Sequence, residues 1–319
     1  MSQIIEKHVN KKDELKEVLQ ALMLKAATLH HYSHPQYHPI VVVNSLKNIL
    51  GDVRDNPSQA LIKFGEEYLN GTPIRKRDKK MLSKTRAAGV STSVFIMDLE
   101  DAILDRNLKN AEREAAKLFI LADSPQAILE SIINVALNDF DKYGVFTYHL
   151  LRAFSFGNYS NEETWTFIQC LLKQVKQVNF TKGRQVISVN FNNYFEDVLN
   201  SKKMVSLNMF NSALRLYHSN YVRTSSFQQS ISKWISEKTW ANNNRYKNVH
   251  IPKRLILYRT SGGSYFVEKA EQIIKRELNH KNTGKKLVYI DSLRMMSRDV
   301  PEHFLGFVKN KIDMIERVS

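Results

Sequence analysis

KKDELKEVLQALMLKAATLH (11–30) decides the fold. Leu15, Val18, Leu19, Leu22 and Ala26 recur at spacings of three and four, the stripe of a helix that buries one face. The same texture continues outward. Ser58 stands where a helix running to about Leu69 would be capped, with Gly71 beyond its end. Ser124-Pro125 opens LESIINVALNDF, and Ser160 ahead of NEET opens WTFIQCLLKQVKQV. NFNNYFEDVLN, SLNMFNSALRLYH and SFQQSISKWISEKTW carry the pattern to about residue 240, and the polar run ANNNRYKN (241–248) reads as a linker. Beyond it, RLILYRT (254–260) and KKLVYI (285–290) look like short buried strands around the helix YFVEKAEQIIKREL, with a last helix at 301–318. The expectation is a mainly α chain. Residues 1–240 form a helical-repeat or irregular helical bundle, and 249–319 form a small basic C-terminal region, either a βαβ-like α/β tail or a helical extension.

With 319 residues and 43% hydrophobic content the chain can bury a sizeable core. No stretch approaches the roughly 18 to 20 apolar residues that cross a bilayer, and MSQIIEKHVNKKDELK is too charged for a signal peptide. The expectations are no membrane insertion and a cytoplasmic location. The one cysteine, Cys170, cannot pair within the chain, and its apolar neighbours predict a buried thiol.

The net charge of +15 is unevenly spread. Residues 1–150 hold 20 Lys and Arg against 19 Asp and Glu, whereas residues 151–319 hold 27 against 13. Repulsion among like charges is relieved by an anionic partner. Residues 215–259 interleave Arg215, Arg223, Lys233, Lys238, Arg245, Lys247, Lys253, Arg254 and Arg259 with aromatic residues, Trp240 and Tyr246 among them. Cations that neutralise phosphates beside rings that stack on bases are what single-stranded nucleic acid requires. GTPIRKRDKKMLSKTRAAGVS (71–91) reads as an exposed, mobile loop able to contact phosphates.

LHHYSHPQYHPI gathers His30, His31, His34 and His38, enough imidazoles to supply two or three metal ligands, although Pro35 and Pro39 interrupt any helix there. No HExxH, ExxH pair or CxxC accompanies them. IVVVNSL (40–46) and LNMFNSAL (207–214) each set an Asn-Ser pair in an apolar helix, and FTYHLLRAF (146–154) sets His149 in a similar place. Such polar groups need partners or a site. Asp98, Asp101 and Asp105 share a helical face, the pattern of a solvated surface or of a cation site. SGGSYF (261–266) and NTGKK (282–286) are weak anion-binding signals without phosphate-loop spacing.

YHPIVVVNSL, followed by NLKNAEREAAKLFILADSPQAILESIINVALNDFDKYG, resembles an uncharacterised bacterial family of all-helical repeats whose helices bear His and Asn. The resemblance covers about residues 30–235 and places His38, Asn44, Asp139 and Phe140 at that pattern's positions. Val145 and Val205 stand where it has histidines, so a metal or cofactor site built on those histidines would be incomplete here. The resemblance implies the fold and no reaction.

The functional expectation is a binding module for an anionic partner, most plausibly nucleic acid, acting through the basic C-terminal half. One alternative is a metal-dependent enzyme, an oxidoreductase among the classes, with a pocket near His38, Asn44 and His149. Another is a scaffold for a protein partner. No cofactor is specified by any motif.

Overall fold

A computed structural model describes residues 2–179, 188–201, 203–240 and 250–317. The first eight helices are α1 (Ser2–Thr28), α2 (Pro39–Leu50), α3 (Gln59–Leu69), α4 (Lys80–Ala88), α5 (Ile96–Leu104), α6 (Leu108–Leu121), α7 (Pro125–Ala136) and α8 (Phe140–Phe154). There follow α9 (Asn161–Gln174), α10 (Phe195–Asn200), α11 (Met204–Tyr217), α12 (Thr224–Glu237), α13 (Lys253–Ser261), α14 (Tyr265–Arg276), α15 (His280–Asp299) and α16 (Leu305–Arg317). The mainly α expectation holds. Among the described residues the β pairing is one isolated antiparallel bridge, Leu29 with Ile74.

Local signals place several ends. Ser58 Oγ accepts from the Leu61 N–H at 3.3 Å and starts α3. Ser160 and Glu163 close a reciprocal capping box at α9, with bonds of 3.3 and 2.8 Å. Pro125 occupies the first turn of α7, where its missing N–H costs nothing. Pro35 and Pro39 bracket a single 3₁₀ turn, Pro35–Tyr37, that separates α1 from α2.

Two segments depart from the strand reading. RLILYRT lies in α13, whose buried Leu255 and Tyr258 sit three apart on one face and which ends at Gly262 with φ +73°. KKLVYI lies in α15, started by Asn279, whose side chain accepts from the Lys281 and Asn282 N–H groups. A short apolar run has the same composition in a buried helix as in a buried strand. The α/β form of the C-terminal extension is therefore replaced by the helical one. SGGSYF accordingly joins two helices rather than a strand and a helix. The 71–91 stretch also differs from a mobile arm. It contains α4, and Arg75 is buried, bonded to Asp78 Oδ2 at 2.7 Å and to the Leu29 carbonyl at 3.1 Å.

Helices α2, α8, α11 and α15 enclose the centre: α2 packs on α8 and α15, and α11 packs on the same two. Contacts run in register along them. His38, Asn44 and Lys47 meet Phe146, His149 and Phe156 in turn, so α2 and α8 are parallel. Asn48 meets Asp291 and Asp52 meets Arg294, so α2 and α15 are parallel as well. Leu287, Ile290, Leu293 and Met296 of α15 are fully buried, each contributing about 1.5–3 kcal/mol through removal from water. Residues after 250 thus share one apolar core with those before 240.

Candidate functional site

Because α2 and α15 are parallel and adjacent, their N-terminal ends lie together, and a cleft of about 870 Å³ opens beside them. Its walls come from the connection before α2 (His30, His31, Tyr32, Gln36, Tyr37), from the end of α3 and the turn after it (Glu67, Tyr68, Asn70–Pro73), and from α15. Helix α15 contributes His280, Lys281, Lys285, Val288 and Tyr289, with Val42 of α2 and Asn208 of α11 alongside. The N-terminal ends of α2 and α15 add the positive poles of their dipoles.

The rim is a backbone strip. His30 N–H donates to the Pro73 carbonyl and Arg75 N–H to the Thr28 carbonyl, both at 2.8 Å, on either side of the Leu29–Ile74 bridge. Within the cleft the rings of His30 and Tyr32 stack at 5.3 Å, and the Lys285 ammonium sits 4.7 Å over the Tyr37 ring. Burial pushes the phenols of Tyr68 and Tyr289 up to about 12, so both are neutral hydrogen-bonding groups. Burial also holds His31 below the usual imidazole range, with His34 and Lys281 acting in the same direction. Gly284 admits the Tyr68 ring, since a Cβ there would stand 2.7 Å from Tyr68 Cε2.

Of the four histidines read as metal candidates, His30 and His31 line the cleft. His31 Nε2 lies 3.0 Å from the His34 carbonyl oxygen and 2.9 Å from Ser33 Oγ. His34 Nδ1 accepts from the Gln36 N–H at 3.4 Å. His38 is fully buried, caps α2 by accepting from the Ile40 N–H at 3.2 Å, and turns Nε2 toward Cys170 Sγ at 3.5 Å. Among the described residues no group of three or more His, Cys, Asp or Glu side chains is placed to hold a metal ion.

The His38, Asn44 and His149 set is partly assembled. Asn44 donates Nδ2–H to His149 Nδ1 at 2.9 Å, and burial drives His149 well below the usual range, so its ring is neutral. His38 lies apart, against Phe146 and Cys170, and none of the three lines the cleft. Cys170 is buried with its thiol pushed up to about 11 by desolvation.

The 215–259 constellation does not share one surface. Trp240 is buried, as are Phe227, Trp234 and Tyr258. Arg215 lies 5.0 Å over the Tyr148 ring inside the bundle. Arg223 pairs with Glu100 at 2.9 Å, Lys238 with Asp141 at 2.5 Å, and Arg254 with Glu268 at 2.5 Å. Lys233 is half-buried on α12, Lys253 is exposed at the start of α13, and Arg259 donates to the Val300 carbonyl. Arg245, Tyr246 and Lys247 lie outside the described residues. Asp98, Asp101 and Asp105 are exposed.

Sequence reasoning missed Gln36, Tyr68, Lys281 and Tyr289 as site residues, and weighed Lys285 for anion binding only as part of NTGKK. The findable signal is spacing: once 280–299 is a helix, Lys281, Lys285 and Tyr289 recur every four residues. Comparison of the chain with protein-family models, with curated proteins and with solved structures finds no match.

Proposed function

We propose that this protein binds an anionic ligand and that the cleft beside α2 and α15 is where it does so. The observation that carries the reading is the charge of the cleft walls. Lys281 and Lys285 stand there against Glu67 as the acid of the lining, and Glu67 lies 3.7 Å from Lys63. A concave site with convergent polar groups and aromatic walls is the usual form of a ligand pocket. Two helix N-termini beside it make its potential more positive.

Phosphate is the anion that suits paired ammonium groups, whether free or in a nucleic-acid strand. The two sources separate in one titration of the whole protein with pyrophosphate and with a single-stranded oligonucleotide, each across a salt series. The expected result is saturable binding weakened at least about tenfold by Lys281→Gln with Lys285→Gln. A strand that contacts several phosphates would add a steep dependence on salt. Absence of binding by both probes at low salt, with the protein folded, sinks the reading.

A further inference from the structure

We propose that the outward face of α5 is a docking surface for a cationic amphipathic helix of another protein. This face lies apart from the cleft, whose walls include no residue of α5, and the proposal does not depend on the anion site.

Helix α5 carries apolar residues on two opposite sides. Leu99, Ala102 and Ile103 are buried and define its inner face. At 3.6 residues per turn Met97 and Leu104 fall on the opposite line, two turns apart, and they are 68% and 40% exposed. Phe95, at the N-cap, is 61% exposed. A surface helix normally turns polar groups to water on that side, so three large apolar side chains there form an unmatched face. Val222 extends it. That residue is 86% exposed, and its neighbour Arg223 pairs at 2.9 Å with Glu100, which stands three and four residues from Met97 and Leu104 on α5.

Spacing and charge name the occupant. Residues seven apart hold the same place along a two-helix seam, so Met97 and Leu104 offer knobs to a second helix lying along α5. Asp98, Asp101 and Asp105 are exposed along one flank of that line, on a chain whose net charge is +15. Charges flanking a seam select their opposites. The occupant therefore brings an apolar stripe bordered by Lys or Arg at spacings of three and four. Three carboxylates in this place repel nucleic acid and anionic lipid headgroups. They also repel the same face of a second copy, which would set the aspartates against themselves. The basic helix α4 of a second copy lacks the apolar half of the match, since its Met81 is half-buried and its Leu82 buried.

The test is fluorescence anisotropy of a labelled synthetic helix of leucine and lysine, with leucine along one stripe, titrated with the whole protein. The same peptide with glutamate in place of lysine is the control. The expected outcome is saturable binding of the lysine peptide and binding at least about tenfold weaker for the glutamate peptide. Met97→Ser with Leu104→Ser should weaken the lysine peptide at least about tenfold, as should Asp98→Asn with Asp101→Asn and Asp105→Asn. Every substituted position on α5 is exposed, so the variants should melt within a few degrees of the wild type. Lys281→Gln with Lys285→Gln, in the cleft, should leave peptide binding unchanged. No binding by folded protein, equal binding of the two peptides, or binding indifferent to both sets of α5 variants overturns the proposal. Sedimentation showing a dimer that the Met97 and Leu104 substitutions dissociate would give the face to a second copy and overturn it as well.

Discussion

The side-chain amide of Asn44 donates to Nδ1 of His149 at 2.9 Å, joining α2 to α8 inside the protein. Nδ1 accepts, so the ring carries its proton on Nε2 and is neutral, in keeping with the downward push of burial. His38 is also held well below the usual range by desolvation. A histidine whose folded value is depressed leaves the unfolded chain with the extra proton once the pH drops below about 6.5. Stability should therefore be full above that value and decline as the solution is acidified. His149→Phe should lose about 1–3 kcal/mol at pH 7, because Asn44 is left without its acceptor, yet show a shallower decline between pH 6.5 and 5. Urea melts at stepped pH read both effects; a parallel decline in wild type and variant would contradict the account.

Lys47 supplies the opposite window. Burial, with Arg152 next in weight, lowers its ammonium from 10.5 to about 7. Here too the unfolded chain binds the extra proton, so stability rises with pH between those two values. Lys47→Met should flatten that rise and raise stability at pH 6 by at least about 1 kcal/mol. An unchanged slope in the variant would show that Lys47 is not its source.

Asp52 is the hub that ties α2 to the C-terminal helices. It accepts from Arg294 at 2.6 Å through both oxygens, from Arg298 at 3.1 Å and from the Tyr258 hydroxyl at 2.7 Å. Removing one partner of a buried pair strands the other charge. Asp52→Ala should cost about 3–5 kcal/mol, measured by chemical denaturation. A loss below about 1 kcal/mol would mean that the arginines find water in its place.

Gly284→Ala separates stability from binding. A methyl group in a helix interior ordinarily gains about 0.5–1 kcal/mol over glycine. Here it would stand 2.7 Å from the Tyr68 ring and push that ring toward the cleft. The expected outcome is a melting temperature changed by only a few degrees and a clear loss of pyrophosphate affinity. Unaltered affinity would place Tyr68 outside the working part of the cleft.

The sequence made the helices legible wherever a cap or a stripe marked them: Ser58, Ser160 with Glu163, and Pro125 all act at the ends where they were read. It failed at α13 and α15 for a physical reason. Helix α15 buries residues around much of its circumference, Leu287, Val288, Ser292, Leu293 and Met296 among them, so its apolar positions give only a weak helical period. The site was half legible. The histidine-rich connection announced one wall, and Asn44 with His149 were singled out as polar groups in need of partners, which they find in each other. The opposite wall depends on bringing residues 67–73 and 280–289 beside 30–39, a juxtaposition made by packing and invisible to local pattern. In the 215–259 stretch several of the aromatics and cations read as a binding strip also serve as core and as ion-pair partners, which composition alone does not separate.

The clasp between residues 28–30 and 73–75 can form early in synthesis, since it spans fewer than fifty positions of chain. The wall it faces is more than two hundred positions away. A ribosome must therefore have made α15 before the nascent protein has anything to hold a ligand with, and the ligand can favour only chains that have folded that far. A ligand of the proposed anion cleft would then act as a late check on folding, protecting finished molecules from proteolysis and leaving incomplete ones exposed.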